Sequence, residues 1–185
     1  MPPASLRGTV KTVACSPEHS FSKATRPSVR LEAGVGVAGD VHSGHTMMMP
    51  NRRGGKDELP NTRQVHLMTS ELQAEFRAKG FDVQPGAIGE NMTTAGVELL
   101  DLPLGAKLGV GSTVVLEVTG LRNPCRSLES RYKGITKEML QHDSDGNAVR
   151  RTGVFAVVLQ GGGVCPGDEL SVDLPEPPYK PLPVL

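Results

Sequence analysis

Hydrophobic and polar residues alternate along most of this chain in short runs set apart by glycine and proline. That is the pattern of half-buried strands rather than of long helices. Residues 6–15 and 28–33 read as strands, separated by a polar loop that contains Pro17 and Pro27. Residues 107–110 and 113–119 read as a strand pair about Gly111. In the second of these, Val114, Leu116 and Val118 share one face while Thr113, Glu117 and Thr119 share the other. Val154 to Gln160 is a continuous apolar run of strand length, which predicts burial on both faces. Gly161-Gly162-Gly163 breaks it, and Pro166-Gly167-Asp168 introduces a last strand that ends at Val172.

The period lengthens to that of a helix in two places. Gln64 to Leu67 is a short strand feeding a helix over about residues 70–79, with Ser70 and Gln73 spaced as a capping box and Gly80 as the stop. Met68, Leu72 and Phe76 mark its apolar face. Residues 134–142 predict a second, shorter helix with Ile135 and Met139 on one side, ended by Asp143-Ser144-Asp145-Gly146-Asn147. The rest is turn: a glycine-rich stretch at 34–45, a charged loop at 50–62 that reads as functional or disordered, and the segment 84–94. From Pro175 onward five prolines predict an extended arm. Many short strands and two modest helices predict a β-rich α+β domain, a barrel or a compact sheet.

Composition narrows the class. The 185 residues suit one domain, and with 3% aromatics and no tryptophan the core must be built of Val, Leu, Ile, Met and Ala. Twenty basic and 20 acidic residues cancel, so no overall charge draws the chain to nucleic acid or anionic lipid, and near-neutrality favours homo-oligomers. No apolar run approaches the roughly 18 residues of a membrane span, and Met1 to Arg7 lack the pattern of a secretory signal. Cys15, Cys125 and Cys165 are odd in number and widely spaced, which is not a disulfide framework. A soluble, cytoplasmic protein with free thiols is expected, with neither nucleic acid nor membrane as a partner.

Three patches can carry chemistry. Cys125 follows a strand in Leu121-Arg122-Asn123-Pro124-Cys125-Arg126, and flanking arginines favour thiolate, the form that attacks electrophiles and binds soft metals. The alternative is a small buried thiol, which is the favoured reading for Cys15 and Cys165, set in apolar contexts without flanking charge. Gly39-Asp40-Val41-His42-Ser43-Gly44-His45 can hold a polar ligand or move protons. It lacks the helical spacing of a zinc site, and Asp40 can instead fold an Asx-type turn. Pro85-Gly86-Ala87-Ile88-Gly89-Glu90-Asn91-Met92-Thr93-Thr94 lets backbone approach a ligand but is neither a Walker loop nor a dinucleotide fingerprint.

In chain order, Gly36 to Gly44, Arg63-Gln64-Val65, Pro85 to Thr93, Asn123-Pro124-Cys125, Gly153 to Val157 and Val164 to Asp168 resemble the MOSC domain. That domain is the C-terminal module of molybdenum cofactor sulfurases and also occurs in stand-alone bacterial proteins of the YiiM type. The resemblance covers about residues 6–173. It implies a MOSC-type β-barrel with a few short helices over 1–174, a Pro-rich tail at 175–185, and a pterin-based molybdenum cofactor. It also implies that Cys125 is the family's functional cysteine, which ligates the metal or carries sulfur. Under it, Asp40 and His42 join Cys125 as catalytic candidates, for proton delivery or for orienting the pterin. Glu90, Asn91, Thr93, Arg122, Asn123 and Arg126 become candidates for binding the cofactor.

The pyridoxal-phosphate domain of the sulfurases does not fit in 185 residues, and no flavin or iron–sulfur motif is present. No pyridoxal phosphate site is therefore expected, and an external electron donor or sulfur donor protein is. The expected function is an oxidoreductase, a molybdenum-dependent reductase of small N-hydroxylated or other N-oxygenated compounds. The alternative is a non-catalytic sulfur-carrier or cofactor-delivery module with a persulfide on Cys125. A cofactor-free barrel for protein interaction is the third reading.

Overall fold

The computed structural model describes residues 6–51 and 53–185. Residues 1–5, read above for a secretory signal, and Arg52 of the charged loop lie outside the described residues. The strands are β1 (Arg7–Cys15), β2 (Ala24–Arg26), β3 (Val29–Glu32), β4 (Gly36–Val37), β5 (Thr46–Pro50), β6 (Lys56–Pro60), β7 (Val65–Thr69), β8 (Met92–Ala95), β9 (Lys107–Val110), β10 (Val114–Leu121), β11 (Leu140–His142), β12 (Ala148–Arg150), β13 (Val154–Gln160), β14 (Gly162–Val164) and β15 (Glu169–Asp173). The helices are α1 (Ser70–Ala78), α2 (Arg126–Arg131) and α3 (Ile135–Met139).

Seven strands close into a barrel in the order β15-β9-β10-β13-β7-β8-β1, with β1 pairing back onto β15 and β2 attached beside β1. Neighbours are antiparallel except β7 and β8, which run parallel and are joined through α1. Alternation fills the inside: Val10, Val65, Leu67, Leu108, Leu116, Val118, Val154 and Ala156 are all buried in one cluster. A second cluster lies outside the barrel, where Leu72 and Phe76 of α1, Leu128 of α2, and Ile135 and Met139 of α3 gather around Met68 of β7.

That second cluster explains two departures from the sequence reading. The strand buried on both faces is β7, because helices cover its outer side. By contrast β13 alternates, with Val154, Ala156 and Val158 buried and Leu159 45% exposed. Helix α1 begins at Ser70 as expected, but its N-cap is Thr69 rather than Ser70: Thr69 Oγ1 accepts from Leu72 N at 3.3 Å. Gln73 turns inward and donates to the buried Glu90 at 2.6 Å instead of closing a capping box.

Three further expectations change. The 134–142 segment is helical only over Ile135–Met139, because residues 140–142 pair with β12 as a hairpin around the Asp143–Asn147 turn. The 50–62 loop is the turn and second strand, β6, of a hairpin whose first strand, β5, lies almost wholly before it. Its turn is organised by Asn51, whose Oδ1 accepts from Arg53 N at 3.1 Å and Gly55 N at 2.9 Å. Gly162 and Gly163 do not simply end a strand: they belong to β14, which pairs with β3. No helix among the described residues is long and apolar enough to cross a membrane.

The extended arm lies against the barrel. Leu104 N donates to Lys180 O at 2.9 Å, Leu121 N to Pro183 O at 2.8 Å and Leu185 N to Leu121 O at 3.0 Å. It therefore braces the end of β10, the strand that delivers Arg122 and Cys125.

Candidate active site

A cleft of about 310 Å³ lies on the outer face of the barrel, with Lys23, Arg63, His66, Asn91, Arg122 and Cys125 among its walls. His66 on β7 and Phe155 on β13 are cross-strand partners. Their neighbours Val65, Leu67, Val154 and Ala156 point into the barrel, so these two side chains must point out, and they form the cleft's floor. Their rings stand 5.3 Å apart, and the Arg63 guanidinium lies 5.6 Å over the Phe155 ring.

Cys125 is exposed and is the N-cap of α2, a helix absent from the sequence reading. Its side chain closes no full capping hydrogen bond, so the sulfur faces the cleft while staying near the first-turn amides. Partial burial works against ionisation. The first-turn amides of Leu128 and Ser127, the Arg122 guanidinium and the Ser127 hydroxyl outweigh it and hold the thiol below its ordinary pKa.

Arg122 is fixed from two sides: its Nη1 donates to Ile88 O at 2.6 Å and lies 3.2 Å from His66 Nδ1. The other ring nitrogen of His66, Nε2, is 2.7 Å from Thr152 O. A carbonyl only accepts, so Nε2 carries the proton and Nδ1 is the acceptor for Arg122. Burial first, then the charges of Arg122 and Lys23, push the His66 pKa well below its usual value, so the ring is neutral. A neutral histidine is what lets a guanidinium sit beside it.

Asp40 is a hub rather than an open acid. Its side chain is 0% exposed, and its Oδ1 accepts from Lys23 Nζ at 2.9 Å and His42 N at 3.0 Å. Oδ2 accepts from Asn91 Nδ2 at 3.1 Å and Ser16 N at 3.2 Å. Burial alone would raise its pKa, but the hydrogen bonds from His42 and Lys23 hold the carboxyl well below the usual range. Asn91 ties the hub to the floor, accepting from His66 N at 3.1 Å and donating to Ala14 O at 3.2 Å.

Of the residues singled out from sequence, Cys125, Arg122, Asn91 and His42 line the cleft, with His42 at an exposed rim. Glu90 does not; it is buried beneath, accepting from Gly86 N at 2.6 Å and Ile88 N at 3.3 Å as well as from Gln73. Thr93 is 1% exposed beside the same carboxylate. Asn123 is exposed outside the cleft lining and accepts from Arg150 Nε at 2.9 Å. Arg126 opens on a neighbouring shallow hollow with Ser130 and Arg131. Cys165 is exposed rather than buried, and contrary to expectation a charge touches it: its Sγ lies 3.5 Å from Asp168 Oδ1, which raises its pKa. Among the described residues no group of three or more His, Cys, Asp or Glu gathers to hold a metal ion.

Lys23, Arg63, His66 and Phe155 were missed as site residues. His66 carried a legible signal, an imidazole in an otherwise apolar strand. Phe155 was hidden in a run that read as buried throughout, and Lys23 in a polar loop offered none.

Comparisons with known proteins agree with this architecture. A family model described as the MOSC domain matches residues 39–171. A protein named "Reductase" from Gibberella moniliformis (strain M3125 / FGSC 7600) is 32% identical over 161 residues, 82% of this chain. The match spans only 24% of that relative's length. The crystal structure of the YuaD protein from Bacillus subtilis superposes with a TM-score of 0.77 at 21% identity, covering 92% of this chain and 97% of that one. YiiM from Escherichia coli gives 0.62 at 19% identity, over 95% of this chain and 74% of that one.

Proposed function

The chain belongs to the MOSC domain family, and on that premise we propose that it is a reductase of N-hydroxylated or other N-oxygenated compounds, working with a pterin-based molybdenum cofactor beside Cys125. One observation carries the reading: an exposed thiol held toward thiolate opens on the same cleft as Arg63, Arg122 and Lys23. The residues fit such a group. A thiolate is a soft metal ligand, and Arg63 Nε is buried without a hydrogen-bond partner, in a cleft wall that would receive an anionic oxygen. When bound, the cofactor would supply the redox-active metal that reduction of an N–O bond requires.

The chain's own side chains have separate tasks. Cys125 would ligate the metal, while Arg122, oriented by Ile88 O and neutral His66, would face the cofactor's anionic parts. Arg63 would take a phosphate or another oxyanion. Asp40 and Asn91 would hold the loops in place from below, and His42, at the rim, is the group placed to exchange protons with solvent. Converting an N–OH group to N–H and water consumes two electrons and two protons, and an external reductant, a protein or small molecule, would supply the electrons. The reductase name of the fungal relative supports this reading.

The test is elemental. Protein produced in a host that makes the cofactor should contain molybdenum, and Cys125→Ala should lose most of it while retaining its melting temperature. Metal-free wild-type protein from such a host would overturn the proposal. The exposure of Cys125 favours a second reading, a sulfur carrier presenting a persulfide to a partner. That reading requires a sulfur adduct on Cys125, detectable by mass spectrometry after incubation with a desulfurase.

A further inference from the structure

A second cleft, of about 500 Å³, adjoins the first and shares Arg63 and His42 with it. Its outer wall is the β5–β6 hairpin, which contributes Met47, Met48 and Met49 in succession. Among the described residues these two strands pair with each other and not with the barrel. Their apolar side chains are not core: Met48 is 56% exposed and Leu59 45% exposed. Folding therefore gives no account of Met48, and it leaves Met47 and Met49, on the opposite face of β5, only half-buried. The hairpin's root, however, is fixed. Asn61 Nδ2 donates to His42 O at 2.9 Å and Gly44 O at 3.0 Å, and its Oδ1 accepts from Arg63 N at 3.0 Å. The hairpin is thus tied to both residues that join the clefts.

We propose that this methionine-lined cleft is the substrate subsite, holding the flat aromatic body of an uncharged or anionic molecule whose N–O group reaches the Cys125 cleft between Arg63 and His42. The proposal rests on the reductase reading. Methionine is unbranched and polarizable, shapes itself to varied apolar partners and makes favourable sulfur–aromatic contacts. The volume lies within the range of small-molecule sites. The sign of the ligand follows from the lining: Lys56, Arg63 and two histidines contribute to it, and no carboxylate does. A cationic substrate would meet like charge along that lining, the neighbouring Glu58 carboxylate being engaged by Thr46 Oγ1 at 2.7 Å.

Methionine-methyl NMR on the metal-free protein tests this without turnover. The chain has seven methionines, and Met68, Met92 and Met139 are buried in the two cores as internal controls. Benzohydroxamic acid, a stable N-hydroxylated aromatic, should displace the methyl signals of Met47, Met48 and Met49 by ring current and leave the three core signals in place. No displacement at saturating probe, or displacement confined to the core signals, overturns the proposal. In parallel, the triple substitution Met47→Ser, Met48→Ser, Met49→Ser should weaken that probe about tenfold and leave the affinity for inorganic phosphate and the melting temperature unchanged. An unchanged probe affinity sinks the subsite. The cation benzamidine should bind the wild type at least about tenfold more weakly than the hydroxamate, and equal binding overturns the charge class. None of these arms needs the metal, so a protein that proves free of molybdenum refutes the reductase while leaving this result readable.

Discussion

At the scale of single residues, the site is held by groups that never touch a substrate. Asp40 and Lys23 form an ion pair with both side chains at most 3% exposed. Asp40→Asn would strand the ammonium without its counter-charge, and breaking a buried pair in this way costs about 3–5 kcal/mol. A fall in denaturant midpoint measures it; unchanged stability would mean that Asp40 is free for proton transfer after all. Its depressed pKa fixes the sign of a pH effect. Because the folded carboxyl titrates below the unfolded one, its stabilisation is complete above about pH 4 and is lost as pH falls further through the folded value. Acid titration of the wild type should therefore show a stability loss that Asp40→Asn lacks. Gly153 is a sharper case. It adopts φ +90°, and a Cβ there would lie 2.2 Å from Leu67 O and 2.8 Å from His66 Nε2. Gly153→Ala should cost about 2 kcal/mol or more and release His66 from Thr152 O, which a shift of the His66 ring signals would report.

At the scale of elements, caps and covers decide what the periodicity leaves open. Thr69→Ala should destabilise α1 by about 1 kcal/mol, whereas Ser70→Ala should change little, since Ser70 Oγ donates only to its neighbour Glu71. Thermal melts of the pair discriminate the two start sites. Most barrel strands and the faces of α1 and α3 were legible because alternation and helical spacing record which side is buried; β8 was not, since Met92, Thr93 and Thr94 are all buried, do not alternate and fall in a segment that read as turn. Helix α2 was not, since Arg126-Ser127-Leu128-Glu129-Ser130-Arg131 has a single buried residue, Leu128, and no period to detect. The β5–β6 hairpin was misread for a related reason: β6 is exposed throughout, and three successive methionines hide the alternation of β5. Cys125, Arg122 and Asn91 could be found because their chemistry sits in short local motifs. His66 showed as an imidazole in an apolar strand, but its role did not, because its pairing with Phe155 exists only across two strands that lie far apart in the chain.

At the scale of the whole molecule, the C-terminal arm and the barrel seam matter most. Gly120 leaves the arm its place, since a Cβ there would lie 2.6 Å from Leu185 Cγ and 2.7 Å from Pro183 O. Deleting residues 179–185 removes the three backbone hydrogen bonds to Leu104 and Leu121. A loss of about 2 kcal/mol is expected, with faster amide exchange at Leu121 and Arg122 and with the barrel retained. The seam has a different consequence, one that belongs to the chain's synthesis. Residues 7–9 pair with 169–171, so β1 finds its last neighbour only once the chain has been made through residue 171. Until then the nascent chain carries β1 and β9 with unpaired edges, a long-range closure that is slow to form and prone to recruit other chains. Ribosome-arrested chains that stop before β15 should be protease-sensitive throughout, and those extended past it should become resistant in a single step.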